Sequence, residues 1–103
     1  TTLAHSPSVW ERRIAIMATL YFIVKGEFAE TLRVADLLRQ DGHDLIHKAV
    51  GWMLREVGEQ DLAAEETFLL PRYRSMPRTM LRYAIERFPH DLRQRYLHGT
   101  LEV

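Results

Sequence analysis

Cysteine is absent from all 103 residues. That one absence removes disulfide frameworks, thiolate zinc sites, iron–sulfur clusters and cysteine nucleophiles together. It fits a reducing compartment, so a cytoplasmic location is expected. No glycine-rich phosphate loop and no serine-nucleophile motif occurs, and strand signals are almost missing. No cofactor is implied. Long apolar runs are lacking too: the longest, Ile14 to Val24, is interrupted by Thr19. It is about half the roughly 20 residues that a membrane span requires, and no membrane partner is expected. No signal-peptide pattern is present. The chain opens Thr-Thr-Leu rather than with methionine, which suggests a trimmed or truncated product.

What is present is 47% hydrophobic and 27% charged residues, the balance of a single soluble domain. Formal net charge is zero, but the signs are unevenly spread. Residues 1–71 carry seven basic and eleven acidic side chains, whereas residues 72–98 carry seven arginines against Glu86 and Asp91. Twelve of the fourteen cations are arginine. The guanidinium fork suits phosphate oxygens, while lysine is the usual choice for solubility. A polyanionic partner and a plain solvated helix face both fit this pattern.

Helix punctuation is frequent. Ser8-Val9-Trp10-Glu11 fits a capping box, which predicts a first helix from about Val9 to Lys25 with Gly26 ending it. A second helix is expected over about Phe28 to Gln40, closed by Asp41-Gly42. Asp44 can cap a third, running to Val57 and stopped by Gly58. Asp61 can cap a fourth, which Pro71 kinks or ends. Ser75-Met76-Pro77 opens a fifth that closes at Phe88-Pro89, and a short sixth spans about Asp91 to His98 before Gly99. The expectation is an all-α array of about six helices. A faint internal echo supports repetition. The segment at Arg13-Ile14-Ala15-Ile16 returns in shape at Lys48-Ala49-Val50-Gly51, and again near Thr79 to Ile85. Spacings in the thirties, one helical hairpin per period, mark stacked helical repeats.

The first predicted helix is apolar almost all round. Ile14, Met17, Leu20, Tyr21 and Val24 fill one side, and Ile16, Phe22 and Ile23 much of the rest. Such a helix expects neighbours on more than one side. Further helices ahead of it, or a second copy of the chain, would cover it, so self-association through this helix is expected.

The third helix carries the most information. Ile46, Ala49, Val50, Met53, Leu54 and Val57 fall within about 140° on the helical wheel and form a core stripe. Lys48, Trp52 and Arg55 cluster on the opposite side within about 60°. An indole between two cations suits nucleic acid, with the cations on phosphates and the ring against a sugar or base. The alternative is that Trp52 packs under a neighbouring helix with Lys48 and Arg55 lying along it. Helical geometry leaves both open. Arg13 sits in an apolar sector of the first helix, where it reaches a phosphate or pairs with Glu11 or Glu56. Trp10 reads as a core aromatic at a helix start, and Tyr73, Tyr83 and Phe88 read as core. Arg78 and Arg82 share a face and fit either backbone phosphates or solvent. His43 and His47 stand four apart, but no third ligand is suitably spaced and no metal site is expected.

Three segments together resemble a known family: Trp10 to Ile16, Asp44 to Gly58, and Met76 to Arg87. In order and spacing they are similar to the C-terminal half of the AlkD-type DNA alkylation repair enzymes. The resemblance implies that residues 1–103 form one domain, a piece of a HEAT-like α-α superhelix curved around duplex DNA. It implies that the whole protein is a glycosylase releasing cationic alkylated purines such as 3-methyladenine and 7-methylguanine, nucleoid-associated when acting. It further implies DNA contacts for Arg13, Trp52 and Arg55. Lys48, Arg78 and Arg82 join these as candidates from the helical faces. The family's catalytic aspartate lies in its N-terminal half, ahead of the segments found here, so no catalytic residue is expected in this chain. Other readings of the array are a protein-interaction module and a non-catalytic DNA-structure-binding relative.

Overall fold

The computed structural model of the chain describes residues 3–101. The Thr-Thr start and the last two residues of the domain expected over 1–103 lie outside the described residues. Seven α-helices carry the fold: α1 Val9–Met17, α2 Leu20–Val24, α3 Ala29–Leu38, α4 Asp44–Gln60, α5 Leu62–Leu69, α6 Arg78–Ala84 and α7 His90–His98. Short 3-10 turns lie at Leu3–His5 and Tyr73–Ser75, and no strand occurs among the described residues. The all-helical class expected from the sequence is the one observed, and the helices are arranged as a helical-repeat array.

The central element is α4. It packs against α1 on one side and α6 on the other, with α3 and α5 also against it. Arg13, Lys48 and Thr79, which begin the echoed segments, fall on these three adjacent helices. The echoed segments therefore all begin on α4 or on a helix packed against it. All six residues of the predicted α4 stripe are buried. The approach of α4 to α6 depends on Gly51: a Cβ there would lie 2.5 Å from Tyr83 Cβ and 2.6 Å from the Met80 carbonyl oxygen. Only a missing side chain lets these backbones come so close.

Several boundaries differ from the sequence reading, each for a local reason. The first helix is interrupted at Ala18-Thr19. The buried Thr19 hydroxyl donates to the Ile16 carbonyl at 2.6 Å, and such back-bonding bends helices. Backbone angles stay right-handed through the break. The capping box is only half formed. Ser8 Oγ accepts from the Glu11 amide, but the Glu11 carboxylate accepts from the Ser6 hydroxyl, and Ser6 Oγ takes the Ser8 amide instead. The cap of α4 is His43, whose Nδ1 accepts from the Leu45 amide at 3.2 Å; Asp44 is the first helical residue. Gly58 does not end α4. The helix runs on to Gln60, and Asp61, in extended backbone, stops it and caps α5 through the Ala64 amide.

Only one side of α1 and α2 is covered, where the all-round apolar pattern expects neighbours on more than one. Ile16, Thr19 and Ile23 face the core. Ile14, Tyr21 and Val24 stay exposed, as does Trp10, which is 62% exposed rather than a core aromatic. Tyr73 and Phe88 are buried as expected, whereas Tyr83 is only half-buried. Helix α7 is fastened by Tyr96. Its ring meets the edges of Tyr73 and Phe88 at centroid distances of 5.1 and 5.5 Å, and its hydroxyl donates to Glu66 at 2.7 Å. Burial is the main reason the Tyr96 hydroxyl is pushed far above the usual phenol range, with the Glu66 bond adding to it.

Candidate nucleic-acid interface

The side of α4 away from its core stripe carries Lys48, Trp52 and Arg55, as the helical wheel requires. Their partners, however, alter the picture of two free cations around a ring. Lys48 is exposed and pairs with Asp44 at 3.3 Å, one turn earlier on the same helix. Trp52 is half-buried, packed against the edge of the core, and its indole N–H donates to Glu56 at 3.2 Å. Arg55 reaches across to the turn after α6, where its guanidinium donates to Glu86 at 2.8 Å. The Arg55 side chain is 16% exposed and its Nε has no hydrogen-bond partner among the described residues. The ring thus stands at the rim of the packed interior rather than deep within it. The acid holding Arg55 is itself a half-exposed surface group.

Arg13 is half-buried on α1, yet neither of the acids considered for it takes it up: Glu11 is engaged by Ser6 and Glu56 by Trp52. Among the described residues Arg13, Arg78 and Arg82 form no ion pair. Arg78 and Arg82 are exposed on α6, which packs beside α4. Trp52 and Arg55 thus share α4 but turn to different acids, and Arg82 lies on the neighbouring helix. Arg13 lies on the helix at the other flank of α4. His43 caps α4 and His47 contacts the Asp41 carbonyl, so both rings are committed to the backbone.

Sequence reasoning missed several residues. Arg12, not Arg13, makes the internal ion pair of α1: its Nε lies 2.7 Å from Asp41 and its guanidinium also donates to the Ser6 carbonyl. Arg93 shares a recess with Arg82 and Glu86 at the junction of α6 and α7. Beside Arg55 lies a second recess of about 150 Å³, lined by Gly58, Glu59, Glu65 and Arg87 among others. In its wall Glu65 is fully buried, with neither carboxyl oxygen hydrogen-bonded. Burial, reinforced by the neighbouring Glu66, pushes the Glu65 carboxyl up to about 9, against the opposing pull of Arg55. An acid in this state is neutral at pH 7. It offers no anion for stabilising a cationic transition state. The seven arginines of residues 72–98 were the available signal for Arg87 and Arg93; nothing in the pattern singled out Glu65.

The sequence profile of the DNA alkylation repair enzymes matches residues 1–88. The chain belongs to this family. The match spans α1 to α6 and stops before α7, so α1, α4 and α6 lie wholly inside it. As a member of the family the chain has DNA repair as its role and DNA as its partner. No curated protein and no solved structure matches it significantly. The described residues contain no helix long and apolar enough to cross a membrane.

Proposed function

We propose that this chain grips duplex DNA during the excision of cationic alkylated purines, 3-methyladenine and 7-methylguanine among them. The array is read as a HEAT-like superhelix whose DNA face carries Arg13, Lys48, Trp52, Arg55, Arg78 and Arg82. The observation that supports this most is the combination on α1, α4 and α6: a tryptophan at the rim of the core on the same helix as Arg55, and, on the two helices packed against it, three arginines that form no ion pair among the described residues. Guanidiniums hold phosphates and an indole packs on sugar or base.

Releasing an already cationic base needs little help for the leaving group. It does need an anion beside the sugar, where positive charge develops. The acids near the face are otherwise occupied: Glu56 by Trp52, Glu86 by Arg55 and Glu11 by Ser6. We therefore assign gripping to this chain and the catalytic carboxylate to the preceding segment of the family's fold, so the 103-residue chain releases no base alone. Methylated duplex incubated with the chain should yield no free alkylpurine, and binding should weaken steeply with salt. For each phosphate contact, log affinity falls by roughly 0.9 per log unit of salt. Replacing Arg13, Arg78 and Arg82 together by Gln should flatten that slope by about 2 to 3. An unchanged slope would overturn the assignment.

A second reading has its own observation. Trp10 and Ile14 of α1 and Tyr21 and Val24 of α2 are all more than half exposed. Such exposure fits a protein-interaction module or a second copy of the chain. Sedimentation across a concentration range decides this: a mass that stays monomeric removes self-association.

A further inference from the structure

One carboxylate, Glu86 in the turn after α6, stands between a guanidinium of α4 and a recess that carries two more, from α6 and α7. Glu86 holds Arg55 of α4 at 2.8 Å. It also lines a recess of about 290 Å³ with Arg82 of α6 and Arg93 of α7. Neither Arg82 nor Arg93 forms an ion pair among the described residues, and the His90 ring lies 3.4 Å from the Arg93 guanidinium. Gln94 adds an amide to the same wall. The recess thus carries two guanidiniums and one carboxylate, which is half-exposed and already bonded to Arg55 outside it.

We propose that this recess is a phosphodiester site of the DNA backbone, with Glu86 as the displaceable counter-ion that occupies Arg55 until a phosphate arrives. The inference rests on the DNA-gripping reading and adds to it Arg93, which lies beyond the family match. The exchange keeps one anion on Arg55: a phosphate oxygen replaces a carboxylate oxygen on the guanidinium, and Glu86 swings to solvent. Glu86 is a positioning residue here, and its presence lowers affinity while keeping Arg55 extended across to α6. The arrangement has the use of all such gates: an unspecific polyanion must compete with a carboxylate that is always at hand.

The test uses the whole chain and an unmodified duplex, with affinity measured by fluorescence anisotropy across a salt series and folding checked by thermal melting. Glu86→Gln should tighten binding about 3- to 10-fold and steepen the salt slope by up to about 0.9, one additional phosphate contact. Glu86→Asp, which keeps the charge, should bind like the parent. In the Arg55→Gln background the Glu86→Gln gain should vanish, because there is no guanidinium left to free. Arg93→Gln should flatten the slope by about 0.9. A gain that persists without Arg55 would reduce Glu86 to a general repulsion and overturn the gate. No gain at all, with Arg55→Gln still weakening binding, overturns the gate and leaves the DNA-gripping reading standing. Failure of the parent chain to bind in a salt-dependent way removes both.

Discussion

The carboxyl of Glu65 rests directly on the Cα of Gly58: a methyl group added to that glycine would fall 1.8 Å from Glu65 Oε1. Gly58 lies within α4 and Glu65 within α5, so the two residues decide how closely the hairpin closes. The glycine that the sequence offers as a helix stop is instead a seat for a side chain of the next helix.

That seat makes stability depend on pH. The folded-state value for Glu65 is raised to about 9, from an ordinary 4.5, chiefly by burial. A carboxyl raised in this way binds its proton in the folded state and releases it on unfolding. The stability it permits is complete below the unfolded value and lost as pH rises toward the folded one. Each pH unit in that window costs about 1.4 kcal/mol, hence roughly 3 kcal/mol by pH 7. Denaturant melts from pH 4 to 9 should show falling stability, and Glu65→Gln should flatten the trend. A slope that the substitution leaves untouched would place the titrating group elsewhere.

Asp36 acts in the opposite direction. The hydrogen bond from Arg72 is the leading cause of its lowered value, with Arg39 adding to it and partial burial opposing. Its contribution is present above the unfolded carboxylate value and disappears as the solution is acidified through the folded one. Asp36→Asn should lower the melting temperature at pH 7 and cost little at pH 2.

Gly51→Ala should destabilise the chain by about 1–3 kcal/mol, even though alanine is the better helix former. The added carbon meets the Met80 carbonyl and Tyr83 Cβ, both belonging to the backbone of α6 or fixed to it. Equilibrium urea unfolding measures the loss; a neutral or stabilising result would mean that α4 and α6 can separate at no cost.

Trp52 and Trp10 are distinguishable by spectroscopy. Trp10→Phe leaves Trp52 as the single indole, half-buried and bonded to Glu56. Its emission should be blue-shifted relative to that of Trp10, and acrylamide should quench it less. Duplex DNA should protect it further. Trp52→Ala should weaken duplex binding by about 1–3 kcal/mol, the worth of one stacked ring, with the chain still folded. Loss of folding instead would make the ring a core residue.

Much of this architecture follows from local signals that tertiary packing does not override. The α4 stripe is buried residue for residue, Asp61 caps α5, and Gly99 ends α7 in left-handed backbone. These depend on spacing within one turn or on the geometry of one residue. What escaped depends on partners remote in the chain. Arg55 and Glu86 are 31 residues apart, Arg12 and Asp41 are 29 apart, and a helical wheel says which way a guanidinium points but not which acid waits there. The first helix failed for a related reason: with hydrocarbon on both sides, periodicity cannot choose the side that is covered. The Lys48–Asp44 pair is different, since its i, i+4 spacing stood in plain view.

The exposure of Trp10, Ile14, Tyr21 and Val24 carries a practical corollary. A folded molecule that keeps this much hydrocarbon wet behaves at interfaces like a mild detergent. It should adhere to phenyl-substituted resin at moderate ammonium sulfate and brighten an anilinonaphthalene dye without unfolding. A charged residue at Ile14 should abolish both while leaving the melting curve where it was.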